Sequence, residues 1–112
     1  MSQIQSPAVS DLEARAEEVA ALLKQMANTR RLLILCRLSG GRATVSELCA
    51  VAGLSPSAIS QHLAKMRQEG LVQGEKDGQQ IHYSITDPRC LDLLNHLSCQ
   101  GSSGDGAAAG RL

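Results

Sequence analysis

The stretch Thr44 to Ile85, TVSELCAVAGLSPSAISQHLAKMRQEGLVQGEKDGQQIHYSI, decides the fold of this chain. Its first residue and Glu47, three positions on, have the spacing of a capping box, and apolar residues follow at helical intervals. A short first helix is therefore predicted, and it ends at a glycine. Ser55 followed by Pro56 combines an N-cap residue with proline at the first helical position, which predicts the start of a second helix.

Two short strand patterns follow the second helix. The segments Leu71 to Gly74 and Gln79 to Ile85 have the composition of strands, and the residues Lys76, Asp77 and Gly78 lie between them, where Asp-Gly is a strong hairpin signal. Helix, tight turn, helix and hairpin in this order form a winged helix-turn-helix, which places its second helix in the major groove of DNA. We predict a mainly α-helical fold with five helices and a small β-hairpin as the wing.

The second predicted helix has one buried stripe, formed by Ile59, Leu63 and Met66, and one polar face. Its hydroxyl, amide and basic side chains can bond base edges and phosphates in a DNA groove. A polar outer face also occurs on helices that bind nothing, so the order of the four elements, each with a capping or turn signal, is what favours DNA binding. The predicted DNA-contacting residues of this helix and the wing are Ser55, Ser57, Ser60, Gln61, His62, Lys65, Arg67, Lys76 and Gln79.

The composition of the whole chain sets further limits. The chain has 112 residues, with 11 basic and 11 acidic side chains, so its total charge predicts no general affinity for nucleic acid or membranes. Seven of the basic and four of the acidic side chains lie within residues 28–86, so the positive surplus lies in the segment that contains the predicted helix-turn-helix and wing. Tyr83 is the one aromatic residue, which disfavours single-strand and RNA binders that stack bases, and duplex DNA is the expected partner. The sequence has neither a long apolar run nor a signal-peptide pattern, which predicts a cytoplasmic protein.

The segments on either side of the predicted helix-turn-helix and wing suggest a dimer. Residues 1–9 are expected to be a flexible arm, residues 10–100 the DNA-binding and dimerisation domain, and residues 101–112 a disordered tail. A capping box at Ser10 and Glu13 predicts the first helix, and Asp87 with the following proline predicts the start of the last one. The first and last helices both contain more apolar residues than the helix-turn-helix and wing could cover. A two-fold homodimer would bury this surplus and set two recognition helices about one DNA turn apart.

With these elements in place, the chain resembles the arsenic-repressor (ArsR) family of winged-helix repressors. The resemblance covers roughly residues 12–99, and the motifs that carry it are LLKQMANTRRLLILCRL at residues 22–38, SELCAVAGLSPSAISQHLAKMRQEGLV at residues 46–72, and the wing at residues 76–85. It implies a homodimer that occupies a promoter and releases it when an inducer binds or modifies the protein.

The metal sites that are frequent in this family are incomplete here. A common thiolate site uses a Cys-x-Cys pair before the recognition helix, and the matching residues are Thr44 and Ser46. A second common site uses acidic and histidine ligands along the last helix, where this chain has Asp87 with Arg89 and, later, Gln100. An arginine cation cannot ligate a metal ion and repels it. We therefore expect no bound metal and no other cofactor.

The chain is more closely similar to a branch of the family that responds to persulfides and oxidants. That branch has one cysteine in an LxILCxL second helix and another near the end of the last helix, and Cys36 and Cys99 match these positions. The resemblance implies that the two thiols join when reactive sulfur species or oxidants act as inducer. On the residues alone, Cys36 lies in an apolar run and is by default a small buried hydrophobe, and Cys99 could equally be an inert surface thiol. Cys49 and Cys90 are expected to be packing residues.

Two alternatives remain beside this dithiol repressor. In a metal-responsive repressor of the same fold, His96 and Cys99 would lie on one helix face and supply two ligands, with others from the partner subunit. In a thiol enzyme, Cys36 would be the nucleophile with His62, His82 or His96 as base. The sequence contains no recognisable oxyanion device, so we predict that the protein is not an enzyme.

Overall fold

The fold was described from a computed structural model, which covers residues 2–97 and describes side chains from residue 9 onward. Within that part of the chain the predicted fold class is confirmed, because the structure contains five helices and a small antiparallel sheet. The helices are α1 (Ser2–Met26), α2 (Thr29–Ser39), α3 (Val45–Ala52), α4 (Pro56–Gln68) and α5 (Pro88–His96). The strands are β1 (Ala43–Thr44), β2 (Val72–Asp77) and β3 (Gln80–Ile85). The predicted disordered tail at residues 101–112 lies outside the described residues.

Local capping signals set the starts of the two helices of the helix-turn-helix. Thr44 Oγ1 accepts a hydrogen bond from the Glu47 backbone at 3.3 Å, and the Glu47 carboxylate accepts one from the Thr44 backbone at 2.9 Å, which completes the predicted capping box of α3. Ser55 Oγ accepts a hydrogen bond from the Ala58 backbone at 3.2 Å, and Pro56 is the first residue of α4. Between these helices Gly53 has a φ of +67°, a left-handed conformation that glycine adopts without strain.

The first helix begins earlier than predicted. It starts at Ser2 and runs through Ser10, so the capping box at Ser10 and Glu13 does not open it, and residues 2–9 of the predicted arm are helical. Pro7 lies within this segment, so local helix propensity does not account for the early start, and a capping-box spacing does not by itself end a helix on its N-terminal side.

The wing turn is shorter than predicted and ends one position later. Lys76 and Asp77 belong to β2 rather than to the turn, Asp77 pairs with Gln80, and the two-residue connection is Gly78 and Gln79. The physical reason is that a tight hairpin needs a positive φ, and Gly78 supplies it at +69°. The strand β1, which was not predicted, pairs with β3 to give a sheet in the order β1-β3-β2.

The buried core lies between α2, α3, α4, α5 and the sheet. Its largest fully buried side chains include Ile34, Leu48, Ile59, Leu63 and Leu94. Residues 9–26 of α1 contribute little, because Leu22 and Met26 are the only buried side chains among them. Within residues 2–97, no helix combines the length and the apolar character that crossing a membrane requires.

Candidate DNA-binding surface and thiol site

The recognition helix α4 presents a polar face to solvent. Its buried side is formed by Ile59, Leu63 and Met66, as predicted. The exposed residues on the other sides of the helix are Pro56, Ser57, Ser60, Gln61, Ala64, Lys65, Arg67 and Gln68. Because these side chains are short, amide-bearing or basic, the face can approach a DNA groove closely and offer hydrogen-bond donors and acceptors.

Two residues predicted to contact DNA already have partners within the chain. The Ser55 hydroxyl caps α4, so one of its lone pairs accepts the hydrogen bond from the Ala58 backbone. His62 is half-buried, and its Nδ1 accepts a long hydrogen bond from Arg31 Nε at 3.5 Å. Partial burial and, to a smaller extent, the Arg31 guanidinium lower the pKa of His62 from its usual 6.5. A neutral His62 is the form that can accept this bond.

The wing extends its own polar groups beside α4. Lys76 and Gln79 are exposed near the turn. Asp77 Oδ2 lies 3.8 Å from Arg42 Nη2 and 3.8 Å from His82 Nε2, so the turn end of β2 is close to the loop before β1.

A groove of about 480 Å³ separates the wing from the helix-turn-helix. It is lined by Thr44, Val45, Ser46, Cys49, Pro56, Gln79, Gln80 and Ile81. The two residues that match the frequent thiolate positions, Thr44 and Ser46, line this groove together with a single thiol. Among residues 2–97, no group of three or more histidine, cysteine or acidic side chains could hold a metal ion. His96, the ligand considered for a metal-responsive protein, is exposed, and its Nδ1 lies 2.9 Å from the Asp92 carbonyl oxygen.

The cysteines fall into distinct environments. Cys36 lies on α2, is half-buried against the core and is disulfide-bonded. Its backbone carbonyl accepts a hydrogen bond from the Ser39 hydroxyl at 2.6 Å. Cys49 is a half-buried free thiol and Cys90 a fully buried one, in agreement with the packing role predicted for both. Burial raises the pKa of Cys90 to about 11, and Asp87 adds to this rise, so this thiol stays protonated and unreactive at neutral pH. Cys99 lies outside the described residues.

Three arginines of α2 contact the helix-turn-helix, and sequence reasoning counted them only as charges. Arg30 Nη1 donates a hydrogen bond to the Ala52 carbonyl oxygen at 2.9 Å, and Arg37 Nη2 lies 3.8 Å from the Glu47 carboxylate. Arg31 makes the contact to His62 described above and also donates to the Gln25 side chain at 2.9 Å. Arg30 and Arg37 are seven residues, or about two helical turns, apart. This spacing in the sequence indicates that both lie on one side of α2.

Comparison with known proteins identifies relatives of this chain. Residues 28–73 match the family described as bacterial regulatory protein, arsR family. The HTH-type transcriptional regulator YgaV of Escherichia coli (strain K12) is 55% identical over 78 residues, which cover 69% of this chain and 79% of that protein. The biofilm growth-associated repressor of Xylella fastidiosa (strain Temecula1 / ATCC 700964) is 37% identical over 87 residues, which cover 78% of this chain and 76% of the repressor.

Solved structures have the same fold. Reduced HlyU from Vibrio cholerae N16961 matches with a TM-score of 0.72 at 41% identity, over 80% of this chain and 98% of that one. The homodimeric winged helix-turn-helix DNA-binding domain Mb0332 from Mycobacterium bovis, described as a possible ArsR-family transcriptional regulator, matches with a TM-score of 0.67 at 28% identity, over 77% of this chain and 80% of that one. These relatives are transcriptional regulators and not enzymes, which confirms the predicted class. With its winged helix-turn-helix and these relatives, the chain belongs to the arsR family of bacterial regulatory proteins and is a DNA-binding transcriptional regulator.

Proposed function

We propose that this regulator is a homodimeric repressor whose binding to operator DNA is switched by Cys36 and Cys99, with persulfides or oxidants as inducer. The observation that carries the proposal is the disulfide-bonded state of Cys36, on a helix that contacts the helix-turn-helix, while Cys49 and Cys90 are free thiols. The resemblance of the sequence to the persulfide-responsive branch supports Cys99 as the second thiol.

DNA reading is assigned to the exposed face of α4 and to the wing. Ser57, Ser60 and Gln61 would enter the major groove, where a glutamine can bond adenine in two places. Lys65, Arg67 and Lys76 would lie near phosphates, which position the protein without reading sequence. The polarity and exposure of this face support the assignment.

Dimerisation is assigned to α1 together with the exposed end of α5. Leu12, Val19 and Leu23 are spaced seven and four residues apart, so they lie along one side of α1, and all three are exposed. Leu97, at the end of α5, is 58% exposed. Apolar side chains exposed along one stripe are what a second copy of the chain would cover, and the Mb0332 relative is described as homodimeric.

The switch itself is a two-electron oxidation of two thiols. One cysteine thiolate attacks the outer sulfur of an organic persulfide, the S–S bond breaks, and a thiol leaves, which gives a protein persulfide. When the second cysteine joins it, a second persulfide molecule accepts the two electrons and is reduced to a thiol and hydrogen sulfide. The product is a bridge of three sulfur atoms. A peroxide would instead give a sulfenic acid, which the second thiol converts to a plain disulfide with release of water.

The experiment that tests this proposal compares operator release by four single variants. Cys36→Ser and Cys99→Ser should each bind operator DNA when reduced and should each retain it after persulfide treatment, because either change removes one end of the bridge. Cys49→Ser and Cys90→Ser serve as matched controls and should still release the DNA. Fluorescence anisotropy with a labelled operator gives the affinities, and peptide mapping identifies the bridge. Release of the operator by treated Cys36→Ser, or release of wild type by zinc alone, would contradict the proposal.

A further inference from the structure

The helix that carries Cys36 also holds α3 at both of its ends. Arg30, near the start of α2, donates its hydrogen bond to the carbonyl of Ala52, the last residue of α3. Arg37, near the end of α2, pairs with Glu47 in the first turn of α3. The two helices are therefore antiparallel and fastened at two points about two turns apart.

The contact made by Arg30 is the stronger of the two attachments. The last carbonyls of a helix have no partner within the helix, and they lie at the negative end of the helix dipole. A guanidinium donor at 2.9 Å therefore satisfies the Ala52 carbonyl and adds a favourable charge interaction. The Arg37 pair is longer, at 3.8 Å, and both of its side chains are partly exposed, so salt and water screen it.

The position of Ala52 gives this hydrogen bond a role beyond packing. Ala52 is followed directly by Gly53, whose left-handed backbone turns the chain from α3 towards α4. Arg30 therefore fixes the point about which the recognition helix is oriented. Cys36, one residue before Arg37 and so about 100° around the helix axis, lies on a different side of α2.

We propose that Arg30 is a positioning residue that transmits the state of the Cys36 thiol to the recognition helix. This inference rests on the proposed function. When the bridge at Cys36 displaces α2, the Arg30 hydrogen bond makes the turn at Gly53 move with it, so the two recognition helices of the dimer leave their spacing on the operator. Without that bond, α2 can shift while α3 and α4 stay in place.

The test measures a ratio, namely the operator Kd of the persulfide-treated protein divided by that of the reduced protein. Coupling between two sites typically changes an affinity about 5- to 150-fold, so we expect a wild-type ratio on the order of tenfold or more. Arg30→Met keeps an unbranched side chain that reaches to about the position of the arginine Nε and removes its donors, and its ratio should fall to roughly a third of the wild-type value or less. Arg30→Lys keeps a charged donor and should retain at least about half of the wild-type ratio. Arg15→Met, which removes an exposed arginine that pairs with Asp11 on α1, should leave the ratio unchanged.

Each outcome of this experiment has one meaning. A purely structural role for Arg30 would weaken binding by reduced and treated protein alike, so an unchanged ratio in Arg30→Met would overturn the inference while leaving the proposed function intact. An equal loss of the ratio in Arg15→Met would also overturn it. If wild-type protein shows no change of affinity on treatment, the proposed function fails, and the inference fails with it. Denaturant unfolding of every variant checks that it is folded, and Arg30→Gln replaces Arg30→Met if the methionine variant is not.

Discussion

The helices α4 and α1 each expose one long face, and the two faces have opposite chemistry. Opposite its buried side chains, α4 carries serine, glutamine and lysine residues. The exposed stripe of α1 instead carries Leu12, Val19 and Leu23, which are 62%, 41% and 46% exposed. Water solvates the first face readily, whereas several large apolar residues in one stripe indicate a surface that another molecule covers.

The difference shows which part of the fold is complete within one chain. Three fully or almost fully buried side chains and a hydrogen-bonded N-cap hold α4 in place. By contrast, α1 is 25 residues long, and over residues 9–26 it buries only Leu22 and Met26 in the core. The packing of the recognition helix is therefore complete within its own chain, whereas α1 would pack against a second copy of the chain in the dimer that we propose.

The largest effect is expected from a charge in the apolar stripe of α1. Val19→Asp would place a carboxylate in the proposed dimer interface, and burying an unpaired charge is strongly unfavourable. We expect the dimer dissociation constant to rise by at least about 100-fold, since several kcal/mol are lost. The palindromic operator should then bind far more weakly, while helical content is retained. Sedimentation equilibrium and circular dichroism give these two quantities.

The matched control adds the same charge to the other side of α1. Ala14 is exposed and lies about 200° around the axis from Leu12, so Ala14→Asp should leave the dimer intact. Equal dissociation of both variants would show that a charge on either side of α1 disrupts the dimer. That result would contradict the assignment of the interface to the apolar stripe.

A smaller effect is expected on the polar face of α4. Gln61→Ala should reduce the discrimination between operator and random DNA by roughly 1 to 3 kcal/mol, the range for a good bidentate base contact. Lys76→Ala is the control, because a wing lysine near phosphate should weaken binding to all sequences alike and lower the salt dependence by about one counterion. Anisotropy titrations at several salt concentrations separate the two. An unchanged specificity ratio in Gln61→Ala would mean that another face of α4 reads the DNA.

The smallest effect concerns the flank of α4 that contacts α2. Because burial, and then Arg31, lower the pKa of His62 in the folded protein, His62 stabilises the fold fully above its ordinary pKa of 6.5. That contribution is lost as the pH falls through the lower folded value. Wild-type protein should therefore lose more free energy of unfolding between about pH 7 and pH 5 than His62→Gln does. Urea unfolding across this range measures it, and parallel pH profiles of the two proteins would refute the assignment.

Features that depend on neighbouring residues could be predicted from the sequence. The capping box of α3, the N-cap of α4 and the buried stripe of α4 all follow from residues within one or two turns of each other. The positions of Cys36, Cys49 and Cys90 relative to the core followed in part from the apolar residues around them. Local chemistry of this kind does not depend on how the elements later pack.

Features that depend on distant residues were missed. The strand β1 has two residues, which is too short for any pattern, and it exists only because β3 passes beside it. The hydrogen bond from Arg30 to Ala52 joins residues 22 positions apart and has no counterpart in the local sequence. The early start of α1 was missed for another reason, since a capping signal was present at Ser10 and the helix extends past it.

Thr44 lies at the junction between the wing and the helix-turn-helix. It is the last residue of β1, where it pairs with His82 of the wing, and it is also the N-cap of α3. The wing and the helix-turn-helix thus share one residue, and in the DNA-binding mode that we propose, this residue sets the distance between the contacts made by the wing and those made by α4. Relatives that keep the same reading helix could therefore acquire operators with a different spacing between these contacts through changes around this one junction.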